Sequence, residues 1–129
     1  MVGALTVHLD THVLVYLYQG DVKRLGSSAR KAIEKYDVYA SPAAVLELEF
    51  LREIGRLEIS SSKLVTTLTT EIGLRVCDLP FRTVVENAVG ESWSRDPFDR
   101  LIVANAKAAH AGLISKDEKI LKNYRKTIW

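Results

Sequence analysis

Cysteine is almost absent from this chain of 129 residues, and its scarcity excludes several kinds of protein. A single cysteine, Cys77, rules out an intramolecular disulfide and any all-cysteine metal site. Because Cys77 lies in an apolar segment, we interpret it as a small buried hydrophobic residue and not as a nucleophile. A chain without disulfides suits a reducing compartment, so we expect a cytoplasmic protein.

Long apolar runs are also missing. No stretch approaches the roughly 20 apolar residues that a transmembrane helix needs. Residues 1–5 carry no lysine or arginine and no long apolar segment, so no signal peptide is predicted. Linkers, internal repeats and low-complexity segments are absent as well. The length suits one core, and we expect a single domain over residues 1–129.

Neither sign of charge dominates, since 18 basic and 16 acidic residues give a net charge of +2. This excess is too small to establish a polyanionic partner. Basic residues do cluster within residues 23–35 and 116–126. Such runs are usually solvated helix faces, but they also suit contacts with phosphate groups.

Short strand patterns alternate with helical patterns along the chain. This alternation predicts an α/β fold in which helices cover both faces of a short, mainly parallel sheet. The predicted strands cover residues 5–9, 37–40, 74–79, 112–115 and 127–129, and the predicted helices cover residues 13–18, 27–36, 41–55, 60–72, 80–93 and 97–106, with a brief helix after residue 117.

Two details of this assignment concern buried side chains. His8 interrupts the first apolar strand, and we expect it to be hydrogen-bonded and to face a helix, not to be a ligand. In the helix over residues 41–55, an apolar residue recurs at every third position and predicts the buried stripe. These residues are Val45, Leu48, Leu51 and Ile54.

The segment from residue 94 to residue 106 is the most unusual part of the sequence. Pro97 suits the first position of a helix, which places Asp96 at the N-cap and Asp99 at the third helical position. Both carboxylates then lie at the positive end of the helix dipole. A purely structural interpretation is a capping box, in which Asp99 reaches back to the backbone of Asp96.

Three further acids occupy comparable positions: Asp10 and Asp117 each follow a strand, and Glu47 lies early in a helix. In a parallel sheet, strand-to-helix junctions share one edge, so these acids can meet Asp99 there. Two carboxylates about 4 Å apart repel by roughly 4 kcal/mol at an effective dielectric near 20. Such a cluster therefore requires protonation or a cation, and oxygen-only ligands favour Mg²⁺ or Mn²⁺. A metal held in this way activates water for phosphodiester cleavage.

Four segments together resemble the PIN-domain ribonucleases, specifically the VapC-like toxins of type II toxin–antitoxin pairs. The order and spacing of the four segments match the motifs of this family across nearly the whole chain, and the third segment is the most specific match. The segments are residues 9–14 (LDTHVL), residues 41–48 (SPAAVLEL) continuing to 55–57, residues 96–106 (DPFDRLIVANA) and residues 113–120 (LISKDEKI).

The resemblance implies a PIN-like three-layer α/β/α sandwich and an Mg²⁺- or Mn²⁺-dependent endoribonuclease. It also implies a homodimer and a cognate antitoxin that covers the acidic site. Asp96 matches an acid found in one branch of the family, and it is either a further metal ligand or only a helix cap. Thr11 and Ser115 match small hydroxyl positions near the metal, and Arg100 is a candidate RNA phosphate contact. The catalytic, metal-holding quartet corresponds to Asp10, Glu47, Asp99 and Asp117.

Two positions depart from the family pattern without removing an acid. Leu46 stands where many relatives carry an aromatic residue, and Asn105 stands where many carry glutamine or threonine. Glu49 competes with Glu47 for the second motif. Because two residues turn a helix by about 200°, only one of these glutamates can face the site, and the motif position selects Glu47.

These residues are compatible with three functions. The first is a metal-dependent ribonuclease that acts as a toxin. The second is a PIN-fold nucleic-acid-binding protein without significant cleavage, against which the repelling acids argue. The third is a receiver-type phosphoacceptor domain, which needs adjacent acids after the first strand, where this chain has Asp10 alone. The RNA target, the number of metals and the antitoxin family stay open.

Overall fold

One parallel sheet of five strands forms the centre of the protein in the computed structural model, which describes residues 5–129. The segment in which no signal peptide is predicted lies, apart from residue 5, outside the described residues. Across the sheet the strands run in the order β3-β2-β1-β4-β5. They are β1 (Thr6–Leu9), β2 (Asp37–Ala40), β3 (Arg75–Val76), β4 (Gly112–Ile114) and β5 (Thr127–Ile128).

Helices flank this sheet, and the predicted α/β fold is confirmed. Within residues 5–129, none of the helices is long and apolar enough to cross a membrane. The helices are α1 (Thr11–Tyr18), α2 (Ser27–Lys35), α3 (Pro42–Glu53), α4 (Ser61–Ile72), α5 (Phe81–Val89), α6 (Pro97–Ala108) and α7 (Glu118–Asn123), and a 3-10 turn covers Val22–Arg24.

The core lies around the central strand β1, because β1 pairs with β2 on one side and with β4 on the other. Leu9 and Leu113 are fully buried, and so is Ile102 of α6, which packs in the same cluster. This packing fixes the start of α1, of α6 and of the segment after β4 at one edge of the sheet. The carboxyl ends of β1 and β4 therefore lie side by side, as their register Leu9–Ile114 requires.

The predicted apolar stripe of α3 is partly wrong. Leu48 is fully buried and Val45 and Leu51 are half-buried, but Ile54 is 66% exposed. A helix turns by about 100° per residue, so a spacing of three drifts steadily around the axis. Over nine residues the drift carries Ile54 to the side opposite Val45.

Three other boundaries differ from the prediction. Strand β3 has two residues and not six, partly because the Leu74 N–H bonds to Leu68 O at the end of α4 and is lost to the sheet. Helix α5 ends at Val89, since Gly90 forms its C-cap. Helix α2 is capped by Gly26, where a β-carbon would lie 2.5 Å from the backbone of Trp129.

The interpretation of Cys77 as a buried hydrophobic residue agrees with its position, since it is buried beside β3. Its sulfur accepts a weak hydrogen bond from Asn105 Nδ2 of α6 at 3.2 Å. Asn105, a departure from the family pattern, thus ties α6 to the segment after β3.

The prediction that the His8 side chain is hydrogen-bonded is wrong. Its side chain is buried and Nδ1 has no hydrogen-bond partner among the described residues. The ring stacks instead on Tyr39 of the adjacent strand, with centroids 5.8 Å apart. Burial therefore lowers the pKa of His8 from 6.5 to about 4.

This burial predicts a loss of stability in acid. Between pH 6.5 and pH 4 the unfolded chain binds a proton at His8 that the folded chain does not, so the free energy of unfolding falls as the pH falls. We expect a loss of about 2–3 kcal/mol between pH 7 and pH 4.5 from this residue. Urea unfolding of wild type and His8→Phe at both pH values isolates it, because the difference cancels other titrating groups. If the free energy of unfolding depended on pH in the same way for both proteins, the lowered pKa of His8 would be contradicted.

Candidate active site

Asp10 lies at the carboxyl end of β1 and is the N-cap of α1. Its Oδ1 accepts the backbone N–H of Thr11 at 2.8 Å, and its Oδ2 accepts the hydroxyl of Ser115 at 2.7 Å. Only 4% of Asp10 is exposed. Two neighbours therefore fix this carboxylate, and Ser115 links it to the end of β4.

Glu47 reaches the same place from α3. The Thr11 hydroxyl donates a short hydrogen bond to Glu47 Oε1, so one residue joins the first and second motifs. Burial is the main cause that raises the pKa of Glu47; the bond from Thr11 opposes it, and the charges of Asp10 and Asp96 add to it.

Glu49 faces a different part of the protein. It accepts the backbone N–H of Ser61 at 2.9 Å and pairs with Arg52 at 3.1 Å, and the bond from Ser61 lowers its pKa. Of the two competing glutamates, Glu47 is thus the one directed at Asp10, and Glu49 stabilises the start of α4.

Asp96 is the N-cap of α6, where Oδ1 accepts the backbone N–H groups of Phe98 and Asp99 at 2.9 and 3.4 Å. The reciprocal half of a capping box is missing, because the Asp96 N–H donates to Ser94 Oγ at 3.1 Å and not to Asp99. Among the side-chain hydrogen bonds found within residues 5–129, none ends on the Asp99 carboxylate. Helix capping therefore accounts for an aspartate at position 96 but not for the one at position 99.

The surroundings of Asp99 are acidic. Burial first, and then the charges of Asp96, Asp10, Asp117 and Glu47, raise the pKa of Asp99 to about 7. All the predicted acids thus act on one carboxyl group, although they belong to four separate segments of the chain. Their proximity agrees with the shared edge expected for strand-to-helix junctions, and the catalytic and metal-binding roles of these acids stay predictions.

Asp117 closes the site on the β4 side. Its Oδ1 accepts the backbone N–H of Ile120 at 3.0 Å as the cap of α7. Its own N–H donates to Ser115 Oγ at 3.1 Å, while the Ser115 hydroxyl donates to Asp10. Ser115 is fully buried between the two acids and sets their separation.

Whether this site fits a metal ion depends on how many ligands the protein must supply to that ion. In the part of the chain that the structure describes, no three His, Cys, Asp or Glu side chains form a ready-made ligand set. The candidate donors are nevertheless all oxygens, and the Asp99 carboxylate accepts no hydrogen bond from residues 5–129. This arrangement fits Mg²⁺, which is usually held by one or two carboxylates and keeps several waters.

The position of Arg100 gives it a structural role. Its Nε and Nη2 donate to Ala88 O at 3.3 and 3.0 Å, and Nη2 also reaches Val89 O at 3.3 Å. Arg100 therefore binds the carbonyls that end α5. Its contact with RNA stays a prediction, and only the donors that these carbonyls leave free could make it.

The sequence analysis missed His12. Its Nδ1 lies 3.6 Å from Asp10 Oδ2, and its Nε2 accepts the backbone N–H of Lys116 at 3.2 Å. Burial lowers the pKa of His12, although the charge of Asp10 opposes this shift. Its place two residues after Asp10 was the available signal. His12 fixes the segment between Ser115 and Asp117.

An ion pair between a buried acid and a half-buried lysine supports the loop before α6, and the sequence analysis missed it as well. Glu91 contacts the ammonium group of Lys107 from α6, and Trp93 Nε1 donates to Glu91 Oε2 at 3.1 Å. This contact is electrostatic, since Glu91 Oε1 has no well-oriented hydrogen bond in the described residues. The loop that it anchors carries Ser94, whose hydroxyl positions Asp96.

Comparison with known proteins supplies the family. The sequence profile of the PIN domain matches residues 7–126. Ribonuclease VapC22 of Mycobacterium tuberculosis is 32% identical over 130 residues, covering 96% of this chain and 98% of that protein.

Solved structures agree on the fold. VapBC2 from Rickettsia felis, bound to a promoter DNA fragment, superposes with a TM-score of 0.66 at 14% identity and covers 97% of this chain and all of the matched chain. A toxin–antitoxin complex from Klebsiella pneumoniae gives a TM-score of 0.65 at 16% identity, with 95% of this chain and 96% of that chain covered. The chain therefore belongs to the PIN domain family, among its VapC-like members.

Proposed function

We propose that this protein is a metal-dependent endoribonuclease and the toxin of a VapBC-type pair, acting as a single domain in the cytoplasm. The convergence of Asp10, Glu47, Asp99 and Asp117 carries the proposal, together with an Asp99 carboxylate that accepts no hydrogen bond within residues 5–129. A pure binding module gains nothing from acids that repel one another and any RNA. The name of the relative, ribonuclease VapC22, supports the same activity.

The residues of the site have separate tasks in this mechanism. Asp10 and Glu47 accept hydrogen bonds from the hydroxyl groups of Ser115 and Thr11, respectively, and these bonds hold the two carboxylates in place. Asp99 supplies an unengaged carboxylate from the start of α6. A divalent ion, Mg²⁺ or Mn²⁺, bound there would supply a water of lowered pKa and stabilise charge on the attacked phosphate.

A homodimer is part of the proposal, and exposed apolar surface supports it. Helices α3 and α5 present large apolar side chains that are between 46% and 71% exposed, and a cavity of about 330 Å³ opens between these helices and α6. Apolar patches of this kind mark protein contacts. The exposed residues are Leu46, Phe50, Phe81 and Val89.

An antitoxin is the second proposed partner. The structural neighbours from Rickettsia felis and Klebsiella pneumoniae are a VapBC complex and a toxin–antitoxin complex. We expect a segment of the antitoxin to cover the acidic site and to prevent access of RNA.

Metal removal tests the proposed activity. Purified protein is incubated with total RNA in Mg²⁺, in Mn²⁺ and in EDTA after removal of any co-purified antitoxin under denaturing conditions and refolding. We expect fragments in at least one metal lane and none in EDTA, because the water needs the ion for activation. Equal cleavage in EDTA would contradict the metal mechanism. Intact RNA in every lane, with undiminished RNA binding, would support the binding-module alternative.

A further inference from the structure

Two cationic side chains, those of Arg24 and Lys116, contact the ring of Tyr16 next to the acidic site. Arg24 Cζ lies 4.5 Å from the centroid of the Tyr16 ring, and Lys116 Nζ lies 5.1 Å from the same centroid. Both distances are within the range of cation–π attraction. The two charges therefore lie within about 10 Å of each other, although 92 positions separate them in sequence.

This pair, which we call the Tyr16 cation pair, borders the acids directly. Lys116 stands between Ser115 and Asp117, and its backbone is held by His12. Tyr16 belongs to α1, the helix that Asp10 caps, and its ring contacts that of His12 edge-on at 5.7 Å. Lys116 and Tyr16 thus belong to segments that also hold acids of the site, and Arg24 joins them through its contact with the Tyr16 ring.

Ion pairs with nearby acids do not explain why these two cations lie close together. Arg24 has one acid nearby, with Asp21 Oδ2 at 3.9 Å, and its side chain is 54% exposed. Lys116 is exposed and has no ion-pair partner within 4 Å among the residues described. Two like charges are therefore held together beside a site whose proposed substrate is a polyanion. Guanidinium and ammonium groups are the usual protein ligands of nucleic-acid phosphates.

We propose that Arg24 and Lys116, presented on the Tyr16 ring, bind the phosphodiester backbone of single-stranded RNA as it enters the acidic site. The inference rests on the proposed function, because it names how that site holds its substrate. The exposed charges attract RNA towards acids that by themselves would repel it. The ring limits the freedom of both side chains and so lowers the entropy lost on binding.

Binding of a fluorescent single-stranded RNA oligonucleotide tests the inference. Anisotropy is measured in EDTA, so that metal-dependent cleavage is off, for wild type, Arg24→Gln, Lys116→Gln and the double variant, over a range of salt concentrations. Lys35→Gln is the matched control. Lys35 Nζ lies 5.3 Å from the Tyr36 ring centroid, but Lys35 ends α2 just before the amino end of β2, whereas the acids lie at the carboxyl ends of the strands.

We expect a loss of affinity of about three- to tenfold for each single variant and a larger loss for the double variant. The slope of log affinity against log salt should shrink by about 0.7 for each phosphate contact removed. Lys35→Gln should bind as wild type does. A role in packing alone would change thermal stability and leave the salt slope intact.

Three outcomes would overturn the inference, and they are distinguishable. Wild type that binds no RNA contradicts the proposed function as well. Wild type that binds RNA, with Arg24→Gln and Lys116→Gln no weaker than Lys35→Gln, overturns the cation pair alone. If the variants bind RNA normally but lose affinity for an oligoglutamate peptide, the pair recognises an acidic protein segment instead.

Discussion

Replacing Asp99 with asparagine is expected to lower RNA cleavage at least about a thousandfold, which corresponds to about 4 kcal/mol of transition-state stabilisation. The Asp99 carboxylate accepts no hydrogen bond from the residues that the structure describes, and its pKa is raised to about 7 by burial and by four other acids. Asparagine keeps the shape of the side chain but cannot supply a charged oxygen. Cleavage by wild type and Asp99→Asn is compared with the metal that supports activity.

Loss of the fold would not explain this result. Removal of a carboxyl whose neighbours raise its pKa relieves repulsion, so Asp99→Asn should melt no lower than wild type in EDTA at pH 8. Asp37→Asn is the matched control, since Asp37 is exposed at the amino end of β2, away from the acids. Normal cleavage by Asp99→Asn, or an equal loss in Asp37→Asn, would refute the role of Asp99.

Replacing Lys107 with methionine has the largest expected effect on stability, a loss of about 3 kcal/mol at pH 7. The Glu91 side chain is 5% exposed, and Lys107 is the only cation found in an ion pair with it in the described part of the chain. Methionine keeps the apolar stem of Lys107 but leaves a buried negative charge without its partner. Urea unfolding monitored by circular dichroism measures the change.

The double variant Glu91→Gln/Lys107→Met identifies the cause. A neutral glutamine can still accept the hydrogen bond from Trp93, so most of the lost stability should return. A loss below about 1 kcal/mol in Lys107→Met would mean that water screens this pair as it screens surface salt bridges. An equally unstable double variant would assign the loss to packing by the lysine stem.

Much of the acidic cluster was predictable from sequence because its members are tied to local structure. Asp10, Asp96 and Asp117 are all N-caps, and capping is readable from a few residues. The parallel order of β1 and β4 then brings the ends of distant segments together. Glu47 was harder, and only the family motif selected it over Glu49.

Features that depend on long-range packing were not predictable. The burial of His8 Nδ1 without a hydrogen-bond partner in residues 5–129 and the contacts of Arg100 with α5 depend on which surfaces meet in the folded chain. The pairing of Glu91 with Lys107 and the meeting of Arg24 with Lys116 join positions far apart in sequence. A single sequence contains no local pattern that marks such pairs. The drift of the α3 stripe was predictable from helix geometry alone.

Calorimetric titration of Mn²⁺ into EDTA-treated, metal-free protein at pH 7.5 tests the central claim most directly, because it asks whether the converging acids form a cation site. Wild type and Asp99→Asn are measured side by side, with Asp37→Asn as the control. We predict saturable binding to wild type and Asp37→Asn, and strongly weakened binding to Asp99→Asn. Absence of binding to wild type, or equal binding to all three proteins, would contradict a metal centre at these acids.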